Sequence, residues 1–106
     1  MVDWSPGRGS EQTGERPAVI VQNNPFNSNP NFPNTVVVAV SKSGRAIPTH
    51  VFVPQTQENG LWEPSYVKCE QIQTITKERL GRRLGNLTGE EIDKVAVAIK
   101  RVLALK

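Results

Sequence analysis

A mainly β domain closed by a C-terminal α-helix is what this sequence predicts, on three observations. Short apolar runs dense in β-branched residues fill the first two thirds, clusters of Asn, Gly and Pro separate them, and only after Thr88 does the apolar period become helical. No strand–helix alternation precedes that point, which argues against a parallel sheet. The expectation is four or five antiparallel strands in a small curved sheet or partly open barrel, and the length of 106 residues allows one domain over residues 1–106.

Arg16-Pro-Ala-Val-Ile-Val-Gln22 reads as the first strand, and Thr35-Val-Val-Val-Ala-Val40 as a second, too short and too β-branched to favour a helix. His50-Val-Phe-Val53 is a third, stopped by Pro54. Tyr66 to Ile75 alternates, with Val67, Cys69 and Ile75 on one parity, as a strand with a half-buried face does. Between the first two runs, residues 23–34 hold six Asn and three Pro, which predicts a mobile loop with Phe26 and Phe32 as its anchors to a core. Residues 5–15 form a second loop, with three glycines among eleven residues. Thr76 to Leu80 suggests one helical turn ended by Gly81. Thr88-Gly-Glu-Glu91 matches a capping box, with Leu87 and Ile92 as the hydrophobic staple. Ile92, Val95, Ala96, Ile99, Val102 and Leu103 then give one apolar stripe. Acids open this helix and Lys100, Arg101 and Lys106 close it, in the sense the macrodipole favours.

Composition removes several function classes. One cysteine, Cys69, cannot build a disulfide framework and suggests a reducing compartment, and with one histidine, His50, a Cys/His zinc site is nearly excluded. No metal or other cofactor is expected. No apolar run reaches membrane-spanning length, and the first residues lack the basic flank and apolar stretch of a signal peptide, so a cytoplasmic protein is expected. No P-loop or Gly-x-Gly-x-x-Gly pattern is present. Cys69, mid-strand, reads as a small core residue rather than a nucleophile. The net charge is +3, and the four Lys/Arg against five acids through Tyr66 give way to nine against five from Val67 onward. That C-terminal excess suits a polyanion or an acidic partner, or equally a solvated helix face.

A polar constellation remains: Arg8, Ser10, Glu11, Gln12 and Arg16 at one end, with Ser41, Lys42 and Ser43 leaving the second strand. Arg16, held before Pro17, suits a phosphate because its planar fork gives two parallel charge-assisted bonds. The alternative is a surface ion pair with Glu11 or Glu15.

Gly9-Ser-Glu-Gln12, then Arg16-Pro17 and an apolar strand ending Gln22-Asn23, resembles the signature of the MazF/PemK family of toxin endoribonucleases from bacterial toxin–antitoxin pairs. The similarity continues through the Val-rich strand ending in Ser41, Pro48-Thr-His50, Glu70-Gln-Ile72 and the C-terminal helix, covering nearly the whole chain. The resemblance implies an SH3-like β-barrel with added helices, usually a symmetric homodimer. It also implies sequence-selective, metal-independent cleavage of single-stranded RNA and neutralisation by an acidic antitoxin. Carried over, Arg16 matches the family's catalytic arginine, and Ser41 stands where threonine is usual, keeping the hydroxyl without the methyl that stiffens χ1. Gly9, Ser10, Glu11 and Gln12 match the loop that closes over RNA. Asn23, Ser65, Glu70 and Gln71 match positions that contact bases or lie beside such contacts, and Arg8 and Lys42 are added as RNA-binding candidates. Family members usually carry a basic Arg-Gly-Asp stretch and a full first strand before the Asp-x-x-Pro segment. Here Met1-Val2 stands directly before Asp3, so that first strand is expected to be truncated.

The chemistry implied is attack of the RNA 2′-hydroxyl on its own phosphorus, giving a 2′,3′-cyclic phosphate and a 5′-hydroxyl. Arg16 and Ser41 would stabilise the phosphorane. An arginine is a poor proton acceptor, so Glu11 is the first candidate for the base and His50 the second. Two other readings stay open: a CcdB-like toxin that binds gyrase and cleaves nothing, and an inactive RNA-binding relative.

Overall fold

The computed structural model describes residues 1–3, 15–22 and 24–105. Their order is β1 (Val2–Asp3), β2 (Glu15–Arg16), β3 (Ala18–Ile20), α1 (Asn24–Asn27), β4 (Asn34–Ser41), β5 (His50–Val53), β6 (Ser65–Thr76), a 3-10 turn (Lys77–Arg79) and α2 (Gly89–Leu103). Strands β3-β4-β6-β5 form one antiparallel sheet, and β1 pairs with β2 beside it. The single strand expected from Arg16 to Gln22 is broken at Pro17, which has no amide to donate to a ladder. Pro17 still accepts a hydrogen bond from the Val40 amide at 3.2 Å, so the break does not part the chain from β4.

Strand β4 pairs with β6 along its whole length, with the register shifting between Val38 and Ala39. Val38 faces Ile72 while Ala39 faces Lys68, so β6 bulges over residues 69–71 and the sheet curls there. Val38 and Val40 join Val51, Val53, Val67 and Cys69 in one core, sealed by Val95 and Ala98 of α2. The opposite face of β4 buries Val37 and Ala39 against Val2 and Ile75, flanked by Ala18 and Leu80. The start of the chain is thus built in: Val2 is buried, Met1 donates its amino group to the Arg82 carbonyl, and the Gly81 amide donates to Met1.

The capping box of α2 is formed, the Glu91 amide donating to Thr88 Oγ1 at 3.1 Å and the Thr88 amide to Glu91 Oε1 at 2.9 Å. The apolar stripe expected on this helix is corrected. The helix rests on the sheet through Val95, Ala98, Ile99 and Val102, while Ile92 and Leu103, 44% and 52% exposed, and Ala96 lie on the flanking arc. The apolar arc is wider than the contact it makes, and spacing alone does not say which part of it meets the sheet.

The Asn-rich segment also departs from expectation. Phe26 and Phe32 reach no core; they are 46% and 42% exposed and pack edge to face on each other, ring centroids 5.1 Å apart. The segment is instead tied by polar bonds. Thr35 Oγ1 donates to Asn27 Oδ1 at 2.7 Å, and Lys77 Nζ donates to the carbonyls of Phe26, Asn27 and Asn29 at 3.0, 2.8 and 3.2 Å.

Candidate RNA-cleavage site

The register places the candidate chemistry at one end of β4. Ala18 faces Ala39 and the Val40 amide bonds to Pro17, so Arg16 and Ser41 are the next residues outward on the two segments and line one cleft. Ser41 in turn faces Tyr66, and Tyr66 faces Phe52. Directly paired residues project from the same face of a sheet, so Ser41, Tyr66 and Phe52 form one row across β4, β6 and β5, and Arg16 of β2 adjoins its β4 end.

The end of that row opens into a cleft of about 600 Å³ lined by Arg16, Pro17, Val40, Ser41, Lys42, Ser43, Leu61, Trp62, Glu63 and Ser65. Four candidates, Arg16, Ser41, Lys42 and Ser65, are therefore brought together. Arg16 is exposed and ready to meet a ligand. Ser41 Oγ accepts the Ser43 amide at 3.1 Å, which occupies a lone pair and leaves the hydroxyl proton to be donated elsewhere. Among the described residues lining the cleft, two cations, Arg16 and Lys42, accompany one carboxylate, Glu63. A second cavity, of about 590 Å³, lies under Met1, β3 and the 80–87 segment; Lys77, Arg82 and Arg83 line it, and among the described residues its lining holds no carboxylate, hydroxyl, imidazole or thiol.

Glu70 and Gln71 do not line the cleft with Arg16. Gln71 lies in the bulge of β6, and Glu70 accepts a hydrogen bond from His50 Nε2 at 3.0 Å. His50 Nδ1 accepts the Arg45 amide at 3.2 Å, so the Nε2–H tautomer serves both partners and no ring nitrogen is left as a base. Burial pushes the Glu70 carboxyl up, but the bond from His50, supported by a backbone amide, the electrostatic attraction of the ring's N–H, and Thr49, leaves its pKa below the ordinary value. Cys69 is fully buried; burial first, and the charge of Glu70 second, push its thiol from 9.0 up to about 11, as suits an inert core residue. Arg8, Gly9, Ser10, Glu11, Gln12 and Asn23 lie outside the described residues, and the alternative pairing of Arg16 with Glu11 or Glu15 involves side chains the structure does not describe. Among the described residues no group of three or more His, Cys, Asp and Glu side chains could hold a metal ion.

Sequence reasoning missed Trp62 and Glu63. Neither sits in a periodic run, and only the fold of the 54–65 turn carries them to the cleft.

The family model described as PemK-like, MazF-like toxin of type II toxin-antitoxin systems matches residues 1–103. This chain belongs to that family. It is 37% identical over 107 residues to the endoribonuclease EndoA of Bacillus subtilis, covering 99% of this chain and 90% of the relative. Its fold superposes on the Mycobacterium tuberculosis toxin MazF-mt6 with a TM-score of 0.76 at 32% identity, over 86% of this chain and 88% of that one. A mycobacterial endoribonuclease solved in complex with its cognate antitoxin gives 0.75 at 28% identity, over 99% and 89%. The MazF/PemK membership and the β-sheet-plus-helix architecture expected from the residues therefore both hold.

Proposed function

We propose that this chain is a sequence-selective, metal-independent endoribonuclease toxin that cuts single-stranded RNA. The observation that carries the reading is the juxtaposition of Arg16 and Ser41 in the lining of a cleft that also presents Lys42, Ser43 and Ser65. A guanidinium and a hydroxyl on neighbouring strands can grip both non-bridging oxygens of one phosphate, and strands hold them more rigidly than loops would.

In the proposed reaction the 2′-oxygen attacks phosphorus and gives up its proton, the bond to the 5′-oxygen breaks, and that oxygen takes a proton. The products are a 2′,3′-cyclic phosphate and a 5′-hydroxyl. Arg16 and Ser41 stabilise the charge that builds on the phosphorane, the part of catalysis that preorganised donors serve best. Glu11 remains the candidate proton acceptor. Glu63 is the carboxylate that the described lining offers, and Glu11→Gln against Glu63→Gln separates the two. Gly9, Ser10, Gln12 and Arg8 close over the RNA in this reading. Asn23, Glu70 and Gln71 read unpaired bases beyond the cleft.

The active form is a homodimer acting in the cytoplasm, with the apolar arc of α2 left open by Ile92 and Leu103 as a surface available to the second copy. An acidic antitoxin covers Arg16 and Lys42. The related mycobacterial endoribonuclease, solved with its cognate antitoxin, supports a partner of that kind.

The test is end-mapping after incubation of a long single-stranded RNA with the purified protein in excess EDTA. Cyclic-phosphate and 5′-hydroxyl ends at a recurring sequence are expected. Ends of 3′-hydroxyl and 5′-phosphate, or activity lost with EDTA and restored by a divalent ion, would overturn the chemistry. An intact RNA would return the gyrase-binding and inactive readings.

A further inference from the structure

The 54–65 turn holds a large indole in the open with more rigidity than an ordinary surface loop. Trp62 is 60% exposed and lines the cleft with Arg16, Ser41 and Lys42. Two residues before it, Gly60 has φ +68, and a side chain there would collide with the Leu84 carbonyl. Gly85 packs in the same way against Glu58, and the Asn86 amide donates to the Glu58 carbonyl at 2.9 Å, so the turn is clamped to the 84–86 segment. Inside the turn, buried Asn59 accepts the Thr56 and Leu61 amides on Oδ1, at 3.1 and 3.0 Å, and donates to the Pro54 carbonyl at 2.9 Å. Leu61 packs against the core on one side of Trp62, and Ser65 Oγ bonds back to the Glu63 carbonyl on the other.

An exposed tryptophan costs solubility, and among the described residues neither apolar core includes this one. The other aromatics nearby are occupied: Gly44 packs on the Tyr66 ring, and Phe52 meets that ring edge to face at 5.5 Å. We infer that Trp62 is a stacking platform for one unpaired base of the RNA, the base next to the phosphate held by Arg16 and Ser41. The inference rests on the nuclease reading and adds a binding residue to it. A π-face beside two cations and three hydroxyls fits a nucleotide, whose base stacks while its phosphate pairs. Stacking tolerates any base, so Trp62 anchors the strand and leaves base identity to polar groups elsewhere.

The cut site is first mapped on long RNA. A short oligonucleotide spanning it, with 2′-deoxyribose at the scissile nucleotide, then serves as the uncleavable probe. Trp62→Ala is expected to weaken binding roughly tenfold, Trp62→Phe less than threefold. Removing single bases along the probe should reveal one position beside the cut whose loss weakens the wild type about as much and Trp62→Ala hardly at all. In a Trp4→Phe background, indole fluorescence should be quenched on binding, and should stay quenched in Arg16→Ala, which has lost cleavage. Equal melting temperatures of the variants guard against a folding defect.

Binding by Trp62→Ala within twofold of wild type overturns the assignment, as does an undiminished penalty for every missing base. Weaker binding of an acidic antitoxin peptide with unchanged oligonucleotide binding would assign Trp62 to the protein partner and equally overturn it. If the wild type cuts no RNA, the nuclease reading itself has failed; if it cuts and Trp62→Ala binds normally, this inference alone has.

Discussion

The two faces of β4 begin alike and end in opposite roles. On one, Val38 and Val40 share an apolar core with Val95 and Ala98 of α2; on the other, Val37 and Ala39 pack with Val2 and Leu80. The side chains differ little, and the cover differs greatly. The helix packs across β5 and β6, whereas among the described residues the cluster on the second face ends at Ala39, and at Ser41 the strand meets Arg16 and the cleft. A site can thus arise at the end of a strand without any strained element: the strand continues in register beyond its lid. Residues on the covered stretches should govern stability and residues past the lid should govern activity, a division that substitutions can break.

The largest effect is expected at the uncovered end. Arg16→Ala should reduce RNA cleavage by about 100- to 1,000-fold, the usual cost of removing a preorganised donor to a developing oxyanion. Its melting temperature should stay near the wild-type value, because the guanidinium is exposed. Ser41→Ala should lose roughly 10- to 100-fold, as for a hydrogen bond to a charged group, and Ser41→Thr should keep most activity. A large fall in melting temperature for Arg16→Ala would break the division.

The mirror-image substitution is Val53→Ala, beneath α2 and fully buried. It removes two methyl groups from a packed site and should destabilise by about 2 kcal/mol in denaturant melts. Below saturation of unfolding, cleavage per folded molecule should be unchanged. If activity fell in step with Arg16→Ala, the covered face would be shaping the site after all.

Cys69, on the same covered face, gives a smaller and pH-dependent effect. Its folded pKa, about 11, lies above the unfolded value of 9.0. Between those values the unfolded chain has shed a proton that the folded chain still holds, so raising pH pulls toward unfolding. The contribution is intact below pH 9 and is lost as pH rises toward 11. Comparing Cys69→Ala with wild type across that range should show the wild type losing more stability with pH. Rapid alkylation of the native thiol at pH 8 would contradict the burial.

Much of this division was legible in the sequence, and its failures have physical causes. The valine runs, the capping box and the Arg16-Pro17 junction are local patterns, and local patterns survive folding. The face of α2 is half legible: Val95, Ile99 and Val102 of the expected stripe meet the sheet, but Ile92, Ala96 and Leu103 satisfy helical spacing equally well, and only the sheet chooses between the two arcs. Phe26 and Phe32 read as core anchors because large apolar residues usually go there, while polar bonds from Thr35 and Lys77 hold their segment instead. Glu70 and Gln71 follow a strand pattern, yet the bulge at 69–71 and the pairing of Glu70 with His50 set them apart from the cleft. Trp62 depends on a turn whose clamp comes from Gly85, twenty-odd residues later, a distance that no window of sequence spans.

The smallest expected effect concerns the end of the helix that covers one face. Ala104 caps α2 with φ 55 and ψ 37, the left-handed region in which glycine is usual, and the Leu105 amide closes the turn on the Lys100 carbonyl at 2.8 Å. A Cβ in that conformation crowds the following carbonyl and costs about 1 kcal/mol. Glycine also gains freedom in the unfolded chain, which offsets part of that relief. Ala104→Gly should therefore stabilise α2 by about 0.5 kcal/mol, with cleavage untouched because the cap lies on the covered side of the sheet. Slower amide exchange in the last turn of α2 would register the gain. Destabilisation would mean that the Ala104 methyl makes a contact beyond the single chain, and would turn attention to the open arc of Ile92 and Leu103 as the place where that contact is made.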